Sequence, residues 1–112
     1  MSPVIFLNEK HAGRIKESES GILRAVRDYM RLRGWFVIRM QQGLGSHKGI
    51  SDLVAVKEGL TVWIEVKTAK GKLSKHQQQF QKQIKEFGGI YIVVRGVEDI
   101  FHAEKALTPP SL

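Results

Sequence analysis

The chain has 112 residues, of which 42% are hydrophobic and 26% charged, so it fits one globular domain and neither a disordered protein nor a membrane protein. It contains no cysteine, which excludes disulfides, thiolate metal sites and cysteine nucleophiles and leaves oxygen or histidine as the ligands of any metal. Its net charge of +7 suits a polyanionic partner such as nucleic acid.

The first segment, residues 1–17, mixes apolar and charged residues without a clear period, and we interpret it as an extended or short helical arm. Its opening residues 1–9 are too short for a signal peptide and end at an acidic residue, so we expect none. No apolar run approaches the roughly 18–20 residues that a membrane helix needs, so we expect a cytoplasmic protein with no membrane contact. The compact domain is expected over residues 18–107, with residues 108–112 as a tail.

The first predicted helix covers residues 18–33, where apolar residues recur at helical spacing. Ser18 is the candidate N-cap and Gly34 lies just past the end. The aromatic and β-branched residues at 35–40 then predict a strand. Residues 41–51 contain three glycines and predict a loop.

Two further strands are predicted at residues 52–56 and 61–67, and the short connection between them favours an antiparallel hairpin. Ser74 and Gln77 have the spacing of a capping box, which predicts a second helix over residues 74–87. An apolar run at 90–94 predicts a buried strand, and residues 97–107 a short closing helix. The order α-β-β-β-α-β predicts a single α/β domain with a mixed sheet flanked by helices.

Two carboxylates and a lysine are expected to meet on the hairpin. Alternation along the strand places Glu65 and Lys67 on one face, and antiparallel pairing brings Asp52 to the same end. Paired carboxylates are suitable ligands for Mg²⁺ or Mn²⁺, and a lysine beside them can stabilise charge on a phosphate or orient water. Each piece also has a purely structural reading, since Glu-x-Lys is typical of a solvated strand and an Asp after a Gly/Ser loop often caps a turn.

The joint pattern is more specific than its pieces. Residues 49–52 (GISD) followed by residues 64–67 (IEVK) resemble the PD-(D/E)XK nuclease superfamily, whose core is restriction-endonuclease-like. Residues 29–35 (YMRLRGW) and 71–74 (GKLS), together with Gln77, are similar to its virus-type replication-repair nuclease (VRR-NUC) branch. The resemblance covers about residues 18–95. Ser51 departs from it, because the superfamily commonly has a proline there, a residue that shapes the loop and ligates nothing.

The resemblance implies a role for each residue of the pattern. Asp52 and Glu65 would be metal ligands, the backbone carbonyl of Val66 a third ligand, and Lys67 the catalytic lysine. The implied cofactor is Mg²⁺ or Mn²⁺.

The resemblance also implies a catalytic glutamate on a helix, which maps here onto Glu19. The apolar stripe lies three, four, seven and eleven residues beyond it, so Glu19 is expected to face the sheet. The purely structural alternative is that Glu19, in the first turn, complements the helix dipole. Glu17 is a second candidate for the catalytic role, but it lies outside the apolar stripe. Gln77 resembles a family motif position, although its capping box explains it without a function.

Positive charge brackets the proposed site. We expect contacts to the DNA backbone from four lysines: Lys48, Lys70, Lys72 and Lys75. The arginines of the first helix lie roughly opposite the apolar stripe and are more typical of a solvated face. The four histidines lack the spacing of metal ligands.

Stand-alone members of this branch resemble Holliday-junction resolvases, so the implied function is metal-dependent hydrolysis of phosphodiester bonds in branched DNA. Paired cuts in a two-fold symmetric junction favour a homodimer. Two alternatives remain open: a flap or end-processing nuclease with the same catalytic residues, and a DNA- or RNA-binding module without turnover. The expected setting is a bacterial or phage-infected cell.

Overall fold

A computed structural model describes residues 17–107. The arm at residues 1–16 and the tail at 108–112, both expected from the sequence, lie outside the described residues. Within the described part, every helix is too short or too polar to cross a membrane. The element order is the predicted α-β-β-β-α-β, followed by a closing helix.

Helix α1 spans Glu19–Leu32 and begins as the sequence predicts. The Ser18 hydroxyl accepts a hydrogen bond from the backbone N–H of Gly21 at 3.0 Å, which satisfies one of the free donors of the first turn. The apolar stripe is buried and consists of Ile22, Leu23, Val26 and Met30. Gly34 adopts a φ of 92° after the last turn, a conformation that glycine reaches without steric cost.

Three antiparallel strands follow, and their bounds shift by one residue from those predicted. They are β1 (Phe36–Arg39), β2 (Leu53–Lys57) and β3 (Leu60–Val66). The predicted hairpin is confirmed, because Lys57 pairs with Leu60 across a turn in which Glu58 and Gly59 have φ values of 50° and 82°. Positive φ values at both central residues are what a two-residue hairpin turn of type I′ requires.

Helix α2 spans Lys75–Glu86 and connects β3 to β4 (Ile90–Val94), which pairs parallel with β3. A parallel pair needs such a crossover, since its strands must start at the same end. Helix α3 (Val97–Ala106) closes the fold. The sheet order is β1-β2-β3-β4, with β1 and β4 at the edges.

The two faces of the sheet have different partners. Val62, Ile64 and Val66 of β3 are buried in the core cluster that also holds the α1 stripe and Ile100 of α3. On the opposite face, Phe80 of α2 packs edge-on against other side chains, with ring centroids 5.5 Å from Trp63 and 6.1 Å from Tyr91. Glu65 alternates with the core residues of β3, so it lies on the α2 side of the sheet.

Candidate active site

The hairpin register brings the two predicted carboxylates together. Asp52 immediately precedes β2 and Glu65 is the penultimate residue of β3. Asp52 Oδ2 accepts a hydrogen bond of 2.7 Å from the backbone N–H of Val66, which fixes it at the end of β3. Lys67 follows directly after the strand, and its backbone N–H donates to Val94 O at 2.9 Å. The predicted residues 52 and 65–67 thus share one end of the sheet.

Glu65 is buried, with only 1% of its surface exposed. Its Oε2 accepts a hydrogen bond from Gln77 Nε2 at 3.0 Å and lies 3.7 Å from Lys67 Nζ. Burial, and then the negative charge of Asp52, raise the pKa of Glu65 to about 8, while Lys67 opposes the rise. The site therefore disfavours the ionised form of Glu65, and one lysine does not fully compensate for this.

Gln77 forms the predicted capping box and also contacts Glu65, the two alternatives that the sequence leaves open. Its Oε1 accepts from the backbone N–H of Ser74 at 2.8 Å, which is half of the predicted capping box. Its Nε2 is the donor to Glu65. One side chain therefore closes the start of α2 and holds the Glu65 carboxylate in place.

The loop before Asp52 packs tightly on α2. Gly49 has a φ of 76°, and a Cβ added there would overlap the carbonyl group of His76. Ser51 is buried, and its hydroxyl donates to Leu53 O at 3.0 Å. The serine thus fills the position where the superfamily commonly has proline and bonds to the chain just beyond Asp52. Both contacts fix how Asp52 enters the site.

The donor set fits a divalent cation. Among residues 17–107, Glu65 Oε1 is buried and has no hydrogen-bond partner, so this oxygen is free to ligate. A cation between Asp52 and Glu65 would relieve the repulsion that raises the pKa of Glu65. No cluster of three or more acidic or histidine side chains occurs in the described part of the chain. The resemblance implies a backbone oxygen, that of Val66, as the third protein ligand.

Glu19 lies in the first turn of α1 and its side chain is exposed. Its charge is nevertheless among those that raise the pKa of Glu65, which places it within electrostatic reach of the site. The stripe that begins with Ile22 is buried as predicted, but the burial does not extend to Glu19. Glu17 is exposed as well.

Tyr91 is a site residue that the sequence reasoning did not single out. It pairs with Trp63 on β3, two positions from the partner of Glu65, and it shares the same face. Its hydroxyl is buried without a partner among the described residues. Burial, then the charges of Glu65 and Asp52, raise the pKa of Tyr91. The available signal was a hydroxyl within an otherwise apolar strand.

The four lysines predicted to contact DNA are all exposed: Lys48, Lys70, Lys72 and Lys75. None of them forms an ion pair within residues 17–107. Lys48 belongs to the loop before Asp52, and the others belong to the segment between Lys67 and the first turn of α2. Their ammonium groups are therefore available to a polyanion on the segments that flank the carboxylates.

Comparison with known proteins gives one family. The sequence model of the VRR-NUC domain matches residues 7–98, which include every residue of the site. No curated protein matches the chain.

Proposed function

The chain belongs to the VRR-NUC domain family and is therefore a nuclease-type domain; from that premise we propose that it is a Mg²⁺-dependent endonuclease that cuts branched DNA such as Holliday junctions. The observation that carries the catalytic part is Glu65, a buried carboxylate with one oxygen unpartnered, beside Asp52 and 3.7 Å from Lys67 Nζ. A fold gains no stability from such an arrangement unless a cation completes it.

Asp52, Glu65 and the carbonyl of Val66 would hold the metal, Mg²⁺ or Mn²⁺. When bound, the metal supplies Lewis acidity toward a phosphate oxygen and lowers the pKa of water. Gln77 keeps the carboxylate of Glu65 aimed into the site through its 3.0 Å hydrogen bond. The Val66 N–H does the same for Asp52 at 2.7 Å.

Lys67 brings its ammonium group to the carboxylates, where it would donate to the scissile phosphate or orient the attacking water. Its side chain is 11% exposed, so the charge acts in a partly dry environment, where electrostatic stabilisation exceeds that in water. Glu19 contributes negative charge at the rim of the site. We assign it a supporting role at the site, through water or through the metal.

The exposed lysines at positions 48, 70, 72 and 75 would bind the DNA backbone on the segments that flank the site. Contacts of this kind bind without regard to base sequence and weaken with salt. Selection would therefore rest on the shape of the DNA, which agrees with a branched substrate. Such a substrate would be met in the cytoplasm of a bacterial or phage-infected cell.

Resolving a junction requires paired cuts on two strands, most simply by two active sites related by two-fold symmetry, and we propose a homodimer. Edge strand β1 offers an apolar surface for it, because Phe36 and Ile38 are 66% and 44% exposed on the side of the sheet where α2 packs. Trp35, which directly precedes β1, is buried and therefore does not contribute to this exposed surface. Light scattering should report about twice the 12.7 kDa chain mass.

The test is cleavage of labelled four-way junctions, flaps and linear duplexes with Mg²⁺, with Mn²⁺ and with EDTA. We expect symmetric nicks in the four-way junction with Mg²⁺ or Mn²⁺ and none with EDTA. Glu65→Gln should abolish them, while Glu86→Gln, an exposed glutamate on α2, should cleave at the wild-type rate. Preference for flaps by a strict monomer would identify an end-processing nuclease. Binding of every substrate without cleavage would identify a module without turnover.

A further inference from the structure

A short turn after the strand of the active site folds back over Lys67. Residues 68–71 close it through a hydrogen bond of 3.0 Å from the Gly71 N–H to Thr68 O. A Cβ added at Gly71 would lie 3.4 Å from Lys67 Cδ and 3.2 Å from Thr68 Oγ1. The backbone of Gly71 therefore lies beside the aliphatic stem of Lys67, on the side to which a Cβ would point.

Arg95 ties this turn to the end of β4. Its Nη1 donates to three carbonyl oxygens of the turn, those of Thr68 at 2.5 Å, Ala69 at 3.3 Å and Gly71 at 2.7 Å. Its own backbone N–H donates to Asp99 Oδ2 at 2.7 Å, at the start of α3. The turn lies outside helices and strands, so these bonds satisfy carbonyls that no regular structure pairs.

The parallel register explains why this arginine reaches the turn. Val66 pairs with Val94, so Lys67 and Arg95 leave neighbouring strands side by side. Two cations at adjacent positions repel each other unless their charges are directed apart or partnered. Here the guanidinium is directed to carbonyl oxygens and the ammonium to Glu65.

We propose that Arg95 is a positioning residue, which holds the turn at residues 68–71 against the stem of Lys67 and so keeps its ammonium group at Glu65. A lysine side chain has four rotatable bonds and is precise only where packing removes its alternatives. The turn supplies that packing on one side, and Arg95 keeps the turn closed. The effect of Arg95 on catalysis rests on the proposed function, under which Lys67 is the catalytic lysine.

A direct phosphate contact is the competing role for an exposed arginine so close to the site. The three backbone acceptors occupy Nη1 alone, and Nη2 and Nε keep donors that a phosphate could use, so experiment has to separate the two roles. The two roles also differ in what they predict. If Arg95 positions Lys67, its removal changes the reactivity of the Lys67 amine even without DNA. If Arg95 contacts phosphate, its removal changes the DNA affinity and its salt dependence.

The experiment compares Arg95→Ala with Arg33→Ala. Arg33 is a matched control, since it is another exposed arginine that bonds between elements, to Glu104 at 3.0 Å, but away from Lys67. The metal-free protein without DNA is labelled with an amine-reactive acylating reagent, and the modification of Lys67 is quantified by mass spectrometry. We expect Arg95→Ala to raise its labelling rate at least threefold and Arg33→Ala to leave it unchanged.

The same variants are then measured in single-turnover junction cleavage and in DNA binding. Arg95→Ala should lower the cleavage rate about tenfold or more while its Kd for DNA stays within about threefold of wild type. Urea unfolding checks that Arg95→Ala is folded. If it is not, Arg95→Lys is used in its place, and we expect its labelling and cleavage rates to lie between those of wild type and those expected for Arg95→Ala.

Unchanged labelling of Lys67 in a folded variant would overturn the proposal, and so would faster labelling with an unchanged cleavage rate. A loss confined to DNA affinity would assign Arg95 to phosphate binding instead. If labelling rises as expected but the wild-type protein cleaves no DNA, the positioning role stands and the nuclease function fails.

Discussion

Replacing Glu65 by glutamine should stabilise the metal-free protein at neutral pH. Burial, followed by the charge of Asp52, raises the pKa of Glu65 from 4.5 to about 8. A carboxyl group whose pKa is higher in the folded than in the unfolded protein contributes stability that is fully present below pH 4.5. That contribution is lost as the pH rises through about 8.

The size of the effect follows from the shift. The 2.5 pH units from 4.5 to 7, at about 1.36 kcal/mol each, amount to about 3 kcal/mol of lost stability at pH 7. Glutamine carries no charge and retains an oxygen for the Gln77 donor. It also deprives Lys67 of its partner at 3.7 Å, which offsets part of the gain. We therefore expect Glu65→Gln to gain roughly 1–3 kcal/mol at pH 7.

Urea unfolding in EDTA between pH 4.5 and 8.5 provides the measurement. The difference in unfolding free energy between Glu65→Gln and wild type should grow with pH and level off above about 8. All other groups are the same in the two proteins, so their contributions cancel in that difference. Glu86→Gln, at an exposed site on α2, should show no such growth. A difference that is independent of pH, or a variant less stable than wild type at pH 7, would refute the reasoning.

Asp52→Ala should abolish metal-dependent cleavage and leave DNA affinity within about threefold of wild type, because we propose that the exposed lysines make the phosphate contacts. Full cleavage by the variant would remove Asp52 from the site. Lys67→Ala should bind Mg²⁺ normally in calorimetry yet cleave at least a hundredfold more slowly, since it removes a charge and no ligand. Gly49→Ala should lower the unfolding free energy by more than about 2 kcal/mol, because a methyl group would overlap His76 and φ is 76°; a near-wild-type urea midpoint would contradict this packing. Tyr91→Phe should keep or raise stability by up to about 1 kcal/mol, since it removes a buried hydroxyl that bonds to no described protein group. A clear loss of stability would instead reveal a bonded partner such as an internal water.

The local elements were predictable because their signals are local. The apolar stripe of α1, its Ser18 cap and the capping box of α2 each lie within one or two helical turns. The convergence of Asp52 with Glu65 was predictable too, since a short hairpin connection and the two-residue strand period fix which residues meet. The strand bounds moved by one residue, so Asp52 and Lys67 flank the strands that were expected to contain them.

The sequence by itself determined the element order, the hairpin that gathers the carboxylates and the chemistry that such a group can support. Only the tertiary structure decided how that group is held. Gln77 reaches Glu65 because α2 packs on one face of the sheet, and Arg95 reaches the turn after Lys67 because β4 pairs parallel with β3. These contacts join segments 12 to 27 residues apart. No local periodicity encodes them, since they depend on where a helix and a crossover strand settle on the sheet.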